Sequence, residues 1–419
     1  MSAPARRQTG RSGATPGRSA TRIDVSPDQL LTLADQCVKC GLCLPHCPTF
    51  MQLRNEADSP RGRIALIQGW ASGELAMSPT LAGHLGGCLG CRACEDACPS
   101  LVAYGQLIDG AKAARLRASP AWRQAWRRLW LGRLADAHFT GALARAAALY
   151  ERTGVARLAQ RCGLAGLRGL RPLHRLARAI TKTAAPVPGS SDASADVELF
   201  VGCMGGLAQG RAVAAARTLL GRLGLRVRVP SAPRCCGALH QHNGLPADGQ
   251  RRGAACARHR GDPPLVGLAS ACVAELRAAP GSADTQEFCD WLDRLPTLNG
   301  LGFRPLERLV LVHEPCSQRQ LLGGNAAVYR LLARIPGLTA QPLPGNQTCC
   351  GGAGTYPLQQ PELADALVAE KLAGLTAGSP DLIVTTNPGC ALHLIAGLRE
   401  AALAIEVCHP VELLARQIK

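Results

Sequence analysis

Residues 37–48 read CVKCGLCLPHCP and residues 88–99 read CLGCRACEDACP, so Cys37, Cys40, Cys43 and Cys47 repeat the spacing of Cys88, Cys91, Cys94 and Cys98. Both runs are C-x2-C-x2-C-x3-C-P, the spacing that wraps a [4Fe–4S] cube. Three thiolates two residues apart take three iron corners, and the fourth, ahead of a proline, turns toward a second cluster. The expected ligand sets are therefore crossed: Cys37, Cys40, Cys43 and Cys98 for one cube, Cys88, Cys91, Cys94 and Cys47 for the other. Structural zinc favours two separated C-x2-C pairs in a tetrahedron, which is not this pattern. Two low-potential centres side by side make a wire, so electron transfer is the first functional expectation.

Outward from these runs, the composition narrows the setting. The 419 residues suffice for two or three domains, and the 20 cysteines are too sparse for a small disulfide scaffold. No secretory apolar segment follows the start and no run of 18 apolar residues occurs. Thiolate ligands need a reducing compartment, so the expected location is the cytoplasm, with any membrane contact peripheral and on its inner face. The formal charge of +17 is concentrated: residues 112–182 carry 16 Lys and Arg against Asp136 and Glu151. A basic chain can meet nucleic acid, anionic lipid or an acidic partner. With 3% aromatic residues and no recognition motif, nucleic acid is not expected.

Punctuation along the chain divides it further. Residues 1–27 read as a disordered basic tail and 28–110 as a helical two-cluster domain, with Ser59-Pro60 and Ser78-Pro79 opening helices. Residues 111–195 form a basic helical segment and linker. Within it Ser119-Pro120 opens a helix with Trp122, Trp126, Leu129 and Trp130 on one face. That face suits a partner or a lipid interface; the plainer reading packs it onto the chain's own cluster domain.

Residues 196–300 and 301–419 are two copies of one repeat with a period of about 115 residues. VELFVGC, RCCGALH and LASAC in the first copy answer LVLVHEPC, TCCGGAG and IVTTNPGC in the second. The alternation is βαβαβ, hence parallel sheets covered by helices. The fold class expected is α/β, a helical N-terminal two-cluster domain followed by a pair of βαβ-type cysteine-rich repeats. Each cysteine follows an apolar strand, and carboxyl ends of parallel strands share one edge where ligands bind. Cys203, Cys235, Cys236 and Cys272 should thus converge, as should Cys316, Cys349, Cys350 and Cys390. Gly237 and Gly351, after the cysteine pairs, are expected to leave room for a bulky cofactor. Zinc and inert buried cysteines are the competing readings.

The CCG repeats resemble the cysteine-rich domains of subunits related to heterodisulfide reductase. With the two ferredoxin-type runs, residues 30–419 resemble the iron–sulfur subunits of glycolate oxidase (glycolate dehydrogenase). The phrases that carry the likeness are DSPRGRIALI (58–67), CRACEDACPS (91–100), CCGALHQHNG (235–244), CCGGAGTYPLQQPELA (349–364) and TTNPGC (385–390). The resemblance implies two [4Fe–4S] clusters, further iron–sulfur at the CCG sites, FAD only on partner dehydrogenase subunits, and electron delivery toward quinone. It equally admits a lactate or anaerobic glycerol-3-phosphate dehydrogenase subunit, or a CCG-type disulfide reductase. No catalytic residue is assigned to this chain. A full CCG motif ends in C-x-x-C; here Glu275 and His393 stand at the final position. Cys162, Cys256, Cys289 and Cys408 read as ordinary small buried residues. His240, His242, His313, His393 and His409 read as polar neighbours, and Lys39, Arg92 and Arg234 as charges near ligands.

Overall fold

The computed structural model describes residues 26–419 apart from 168, 188, 191–193, 232–233, 260 and 377–379. The expected tail lies outside the described residues except for Ser26 and Pro27, which open the first helix.

The N-terminal module is built by one device used three times. Ser26, Ser59 and Ser78 each stand at an N-cap with proline following, and start the helices Pro27–Ala34, Pro60–Ala71 and Pro79–Gly86. Each serine hydroxyl accepts a backbone N–H, from Gln29 at 3.3 Å, Gly62 at 2.9 Å and Leu81 at 3.2 Å. The hydroxyl satisfies an orphan donor while proline pre-sets φ. Leu30, Ile64, Ile67, Leu81 and Leu85 meet Leu107 and Ile108 of the helix Tyr104–Arg117 in one core, and Cys88 and Cys94 border it.

The repeat becomes two four-stranded parallel sheets. In the first, β1 (Val197–Phe200), β2 (Val227–Arg228), β3 (Leu265–Gly267) and β4 (Gln286–Glu287) lie in the order 2-1-3-4. In the second, β5 (Arg308–Val312), β6 (Leu338–Pro342), β7 (Leu382–Val384) and β8 (Glu406–Cys408) lie in the equivalent order 6-5-7-8. The copies embrace reciprocally. The helix Gly210–Arg222 after β1 packs on Pro410–Gln417 after β8, and Phe288–Asp293 after β4 packs on Ala326–Leu332 after β5. Val197, Leu219, Phe288, Val310, Leu331 and Leu414 therefore belong to a single core. Hydrogen bonds cross the joint from Ser270 N–H to the Thr386 carbonyl (3.0 Å) and between His409 Nε2 and the Leu268 carbonyl (3.1 Å).

The basic segment straps this pair. Ala147, Ala179 and Ile180 bury against Leu394 and Leu398 of the helix Pro388–Glu400. Arg178 and Arg399 both hold Glu151, at 2.7 and 3.1 Å. Trp122 and Trp126 do not join in, which corrects the plainer reading of their face, while Trp130 packs edge-on against Phe139 at 6.0 Å. In the helix Ala121–Leu134, Leu131 and Leu134 point inward to Leu116 and Leu245, while Trp122 and Trp126 are 65% and 64% exposed.

Gly237 and Gly351 also have a different reason from the one expected. Both sit at positive φ, +88° and +87°, directly against the backbone of a helix further along the chain, Pro246–Ala254 and Pro361–Leu372 respectively, rather than against a cavity. A Cβ on Gly351 would lie 2.7 Å from the Ala364 carbonyl oxygen. Gly351→Ala is expected to lower the urea midpoint by the equivalent of about 2 kcal/mol. Gly300→Ala, whose added methyl meets nothing within 4 Å, should leave the midpoint in place.

Candidate metal centres

The two N-terminal runs turn by the same backbone steps. Lys39 (φ +56°) and Gly41 (φ +85°) flank Cys40, and Gly90 (φ +68°) and Arg92 (φ +61°) flank Cys91. Left-handed residues on both sides of the middle cysteine curl the chain so that successive thiols face inward. The non-glycine positions carry strain, and polar bonds hold them. The Lys39 carbonyl accepts from Arg61 (3.3 Å), and Arg92 is clamped by Glu95 (2.7 Å), which also accepts from Gly105 N–H (2.6 Å).

Cys37, Cys40, Cys43 and Cys98 line one cavity together with Pro60, Ile64 and Tyr104, so the distant fourth thiol joins the first three, and Cys94 of the other expected set borders it too. Burial pushes the Cys43 thiol up, and so do the Cys37 and Cys40 sulfurs. Cys94, raised first by burial, also feels Cys91, Cys88 and Cys47. Both crossed sets are thus gathered in space.

The phrase DSPRGRIALI lies between them. Arg63, 1% exposed, donates to the His84 carbonyl (2.7 Å), Thr49 Oγ1 (3.0 Å) and Asp58 (3.3 Å). Thr49 Oγ1 in turn lies 3.2 Å from Cys47 Sγ. Burial opposes Arg63's charge, yet Tyr104, Cys88, Cys47 and Asp58 hold its pKa above the usual guanidinium value. A fixed cation therefore sits beside the second set.

Both CCG sets converge as well. In copy one, sulfur contacts link Cys203 to Cys235, Cys235 to Cys236, and Cys236 to Cys272. In copy two they link Cys316 to Cys349, Cys349 to Cys350, and Cys350 to Cys390. Cys203 and Cys316 follow β1 and β5. Cys272 and Cys390 each stand third in the helices after β3 and β7. In TTNPGC, Asn387 caps that helix by accepting from Gly389 N–H (2.9 Å) and Cys390 N–H (3.4 Å). Four soft donors at each buried edge suit iron–sulfur.

Two histidines stand closer than sequence reading gave them. His240 hydrogen-bonds Cys235, and His313 groups with Cys350 and Cys390. Burial drives the His313 pKa down to about 3, which keeps its imidazole neutral. Their periodicity is that of core residues, so the sequence carried no signal beyond nearness to cysteine. His393 turns away, its Nε2 on the Ala364 carbonyl at 2.9 Å. Glu275 lies 3.8 Å from His242, which also meets Asp109 at 3.0 Å. Burial opposes the His242 charge, but Asp109 and Glu275 raise its pKa to about 9. His409 directly follows β8, the neighbour of β7, and faces Glu287 and Cys289. Cys256, Cys289 and Cys408 are buried as expected, whereas Cys162 is exposed, a correction.

The modules meet at sulfur. Leu89 and Cys91 of the second run share an apolar cluster with Cys316, Cys349 and Tyr356 of copy two. Cys91 is raised by burial and then by Cys316. Tyr356 seals the seam, donating to the Gly87 carbonyl at 2.9 Å.

Residues 33–102 match the 4Fe-4S dicluster domain family, and residues 197–277 and 310–395 match the Cysteine-rich domain. The fold and its cysteine edges define an iron–sulfur protein of the dicluster-plus-CCG class. Over 414 residues the chain is 31% identical to the glycolate oxidase iron-sulfur subunit of Escherichia coli K12, covering 91% of this chain and 94% of that one. It is 28% identical over 424 residues to the probable glycolate oxidase iron-sulfur subunit of Bacillus subtilis 168, covering 90% and 92%. Lactate utilization protein A of Bacillus licheniformis is 26% identical over 235 residues, 52% of this chain and 98% of its own. The chain belongs to the glycolate oxidase iron-sulfur subunit family.

Removing the Arg63 charge should disfavour the more negative, reduced state of the neighbouring centre. Arg63→Met is expected to lower that midpoint by on the order of 60 mV, about 1.4 kcal/mol. Arg63→Lys, which keeps the charge, should lower it far less. EPR-monitored redox titration reads both variants.

Proposed function

We propose that this chain is the electron-transfer subunit of a membrane-associated 2-hydroxy-acid dehydrogenase of the glycolate type. Cys37, Cys40, Cys43 and Cys98 hold one [4Fe–4S] cluster and Cys88, Cys91, Cys94 and Cys47 the other, with further iron–sulfur at the two CCG sites. When bound, the clusters supply one-electron carriers. The protein supplies the thiolates, the cations Arg61 and Arg63 beside them, and a water-poor seam. FAD on a partner subunit oxidises the hydroxy acid, and electrons leave toward quinone. One observation carries this reading: Cys91 shares an apolar cluster with Cys316 and Cys349, which joins the dicluster module to copy two without a polar gap. That contact supports a path that runs between the second cluster and copy two. Glycolate is favoured over lactate because the glycolate oxidase relatives match about 90% of the chain and the lactate utilization relative about half.

With the flavin partner present, glycolate should reduce both N-terminal clusters in Cys350→Ser, while quinone reduction falls at least tenfold. The isolated chain should show no glycolate-dependent dye reduction. Dye reduction by the chain alone, or full quinone turnover in Cys350→Ser, would sink the proposal.

The membrane part of the reading is supported by the outward tryptophans. Trp122, Trp126 and Leu129 form an exposed stripe, and Arg123 lies 5.1 Å over the Trp122 ring. The surrounding residues 112–182 carry a net charge of +14. Apolar rings among arginines are the chemistry of an anionic bilayer surface. No helix among the described residues is long and apolar enough to cross a membrane. Trp122→Ala/Trp126→Ala is expected to cut binding to phosphatidylglycerol vesicles at least fivefold, measured by co-sedimentation. Dye-linked turnover of the assembled complex should be unchanged.

A further inference from the structure

His313 directly follows β5, three residues before Cys316, and is 2% exposed. One of its ring nitrogens and the sulfurs of Cys350 and Cys390 all lie within 4.8 Å of one another. Nδ1 is engaged, 2.9 Å from Thr385 Oγ1. That leaves Nε2 to face the cysteine sulfurs. The ring is also anchored through its backbone, since His313 N–H donates to the Val384 carbonyl at 2.8 Å. Both anchors come from the β7 edge. A ligating histidine ordinarily has its second nitrogen fixed by such a partner, which sets ring orientation and tautomer.

We propose that His313 is a fifth protein donor at the copy-two centre, its Nε2 bonding iron alongside Cys316, Cys349, Cys350 and Cys390. The inference rests on the reading of these cysteines as an iron–sulfur site. His393, at the end of the shortened C-x-x-C, is committed to the Ala364 carbonyl and does not compete. The position equivalent to His313 in copy one is Phe200, buried with Cys236 and Cys272, so this position carries an imidazole in copy two and not in copy one. A neutral imidazole in place of an anionic thiolate raises a cluster's potential. Copy two, the site against the dicluster module, thereby keeps a higher potential than a fifth thiolate in that place would give it.

The test uses the full chain purified anaerobically with its clusters, unlabelled and with 15N-histidine. Pulsed EPR is recorded on the signal that Cys350→Ser removes. The expected result is a strong histidine nitrogen coupling that changes with the isotope, survives in His393→Gln and disappears in His313→Cys. The cysteine variant should keep its iron, because a thiolate replaces the imidazole, and its midpoint should shift to lower potential. Only weak nitrogen coupling in the unmutated chain would mean that His313 merely hydrogen-bonds sulfur, which overturns the proposal, as would a coupling that persists in His313→Cys. The unmutated chain decides this even if the variants fold poorly. If Cys350→Ser loses no iron, the cluster reading of the site fails first, and that result is distinct from loss of the nitrogen coupling alone.

Discussion

Thiolates resist being gathered. Burial raises the thiols of Cys43, Cys91 and Cys94, and neighbouring sulfurs raise them further. Confining several such groups at one point is unfavourable unless cations lie between them, and iron supplies that charge while converting thiols to ligands. The rest of the architecture follows from this constraint. Left-handed residues aim the loop thiols, parallel strand ends aim the remote ones, and buried arginine adds fixed positive charge where space allows.

The two cysteine-rich copies solve the problem with the same sheet but not with the same surroundings. Their strand orders and their helix exchange are equivalent, and they share one core. Their edges differ. Copy one carries His240 beside Cys235, and His242 joins it to Asp109 of the dicluster module. Copy two carries His313 and presses Cys316 and Cys349 onto Cys91. A duplicated fold thus provides two cysteine edges with different contacts, and among the described residues copy two is the one that abuts the N-terminal cysteines through an apolar seam.

The longer family phrases make sense as joints. Beyond its cysteine pair, CCGALHQHNG supplies Asn243, whose side-chain oxygen accepts from Thr355 (3.0 Å) and Gln359 (2.7 Å) of CCGGAGTYPLQQPELA. The latter phrase also supplies Tyr356, bonded to the dicluster module, and Ala364, whose carbonyl requires glycine at 351. These residues hold modules in register so that thiols from separate modules stand side by side.

The cysteine spacing, the Ser-Pro helix starts and the internal repeat were enough to point to the cysteines that come together, to the α/β class and to the two sheets, because each is encoded locally by period or by a short motif. The direction of the tryptophan face was not legible: amphipathicity tells which residues share a side, not which side finds a neighbour. The reason for Gly237 and Gly351 was also hidden, since a close approach by a helix further along the chain leaves no mark near the glycine. Likewise His313 and His393 looked alike in sequence, and only the strand and helix packing turned one toward sulfur and the other toward a carbonyl. What depends on residues near in sequence was fixed by the chain itself; what depends on which surfaces meet was decided by tertiary packing.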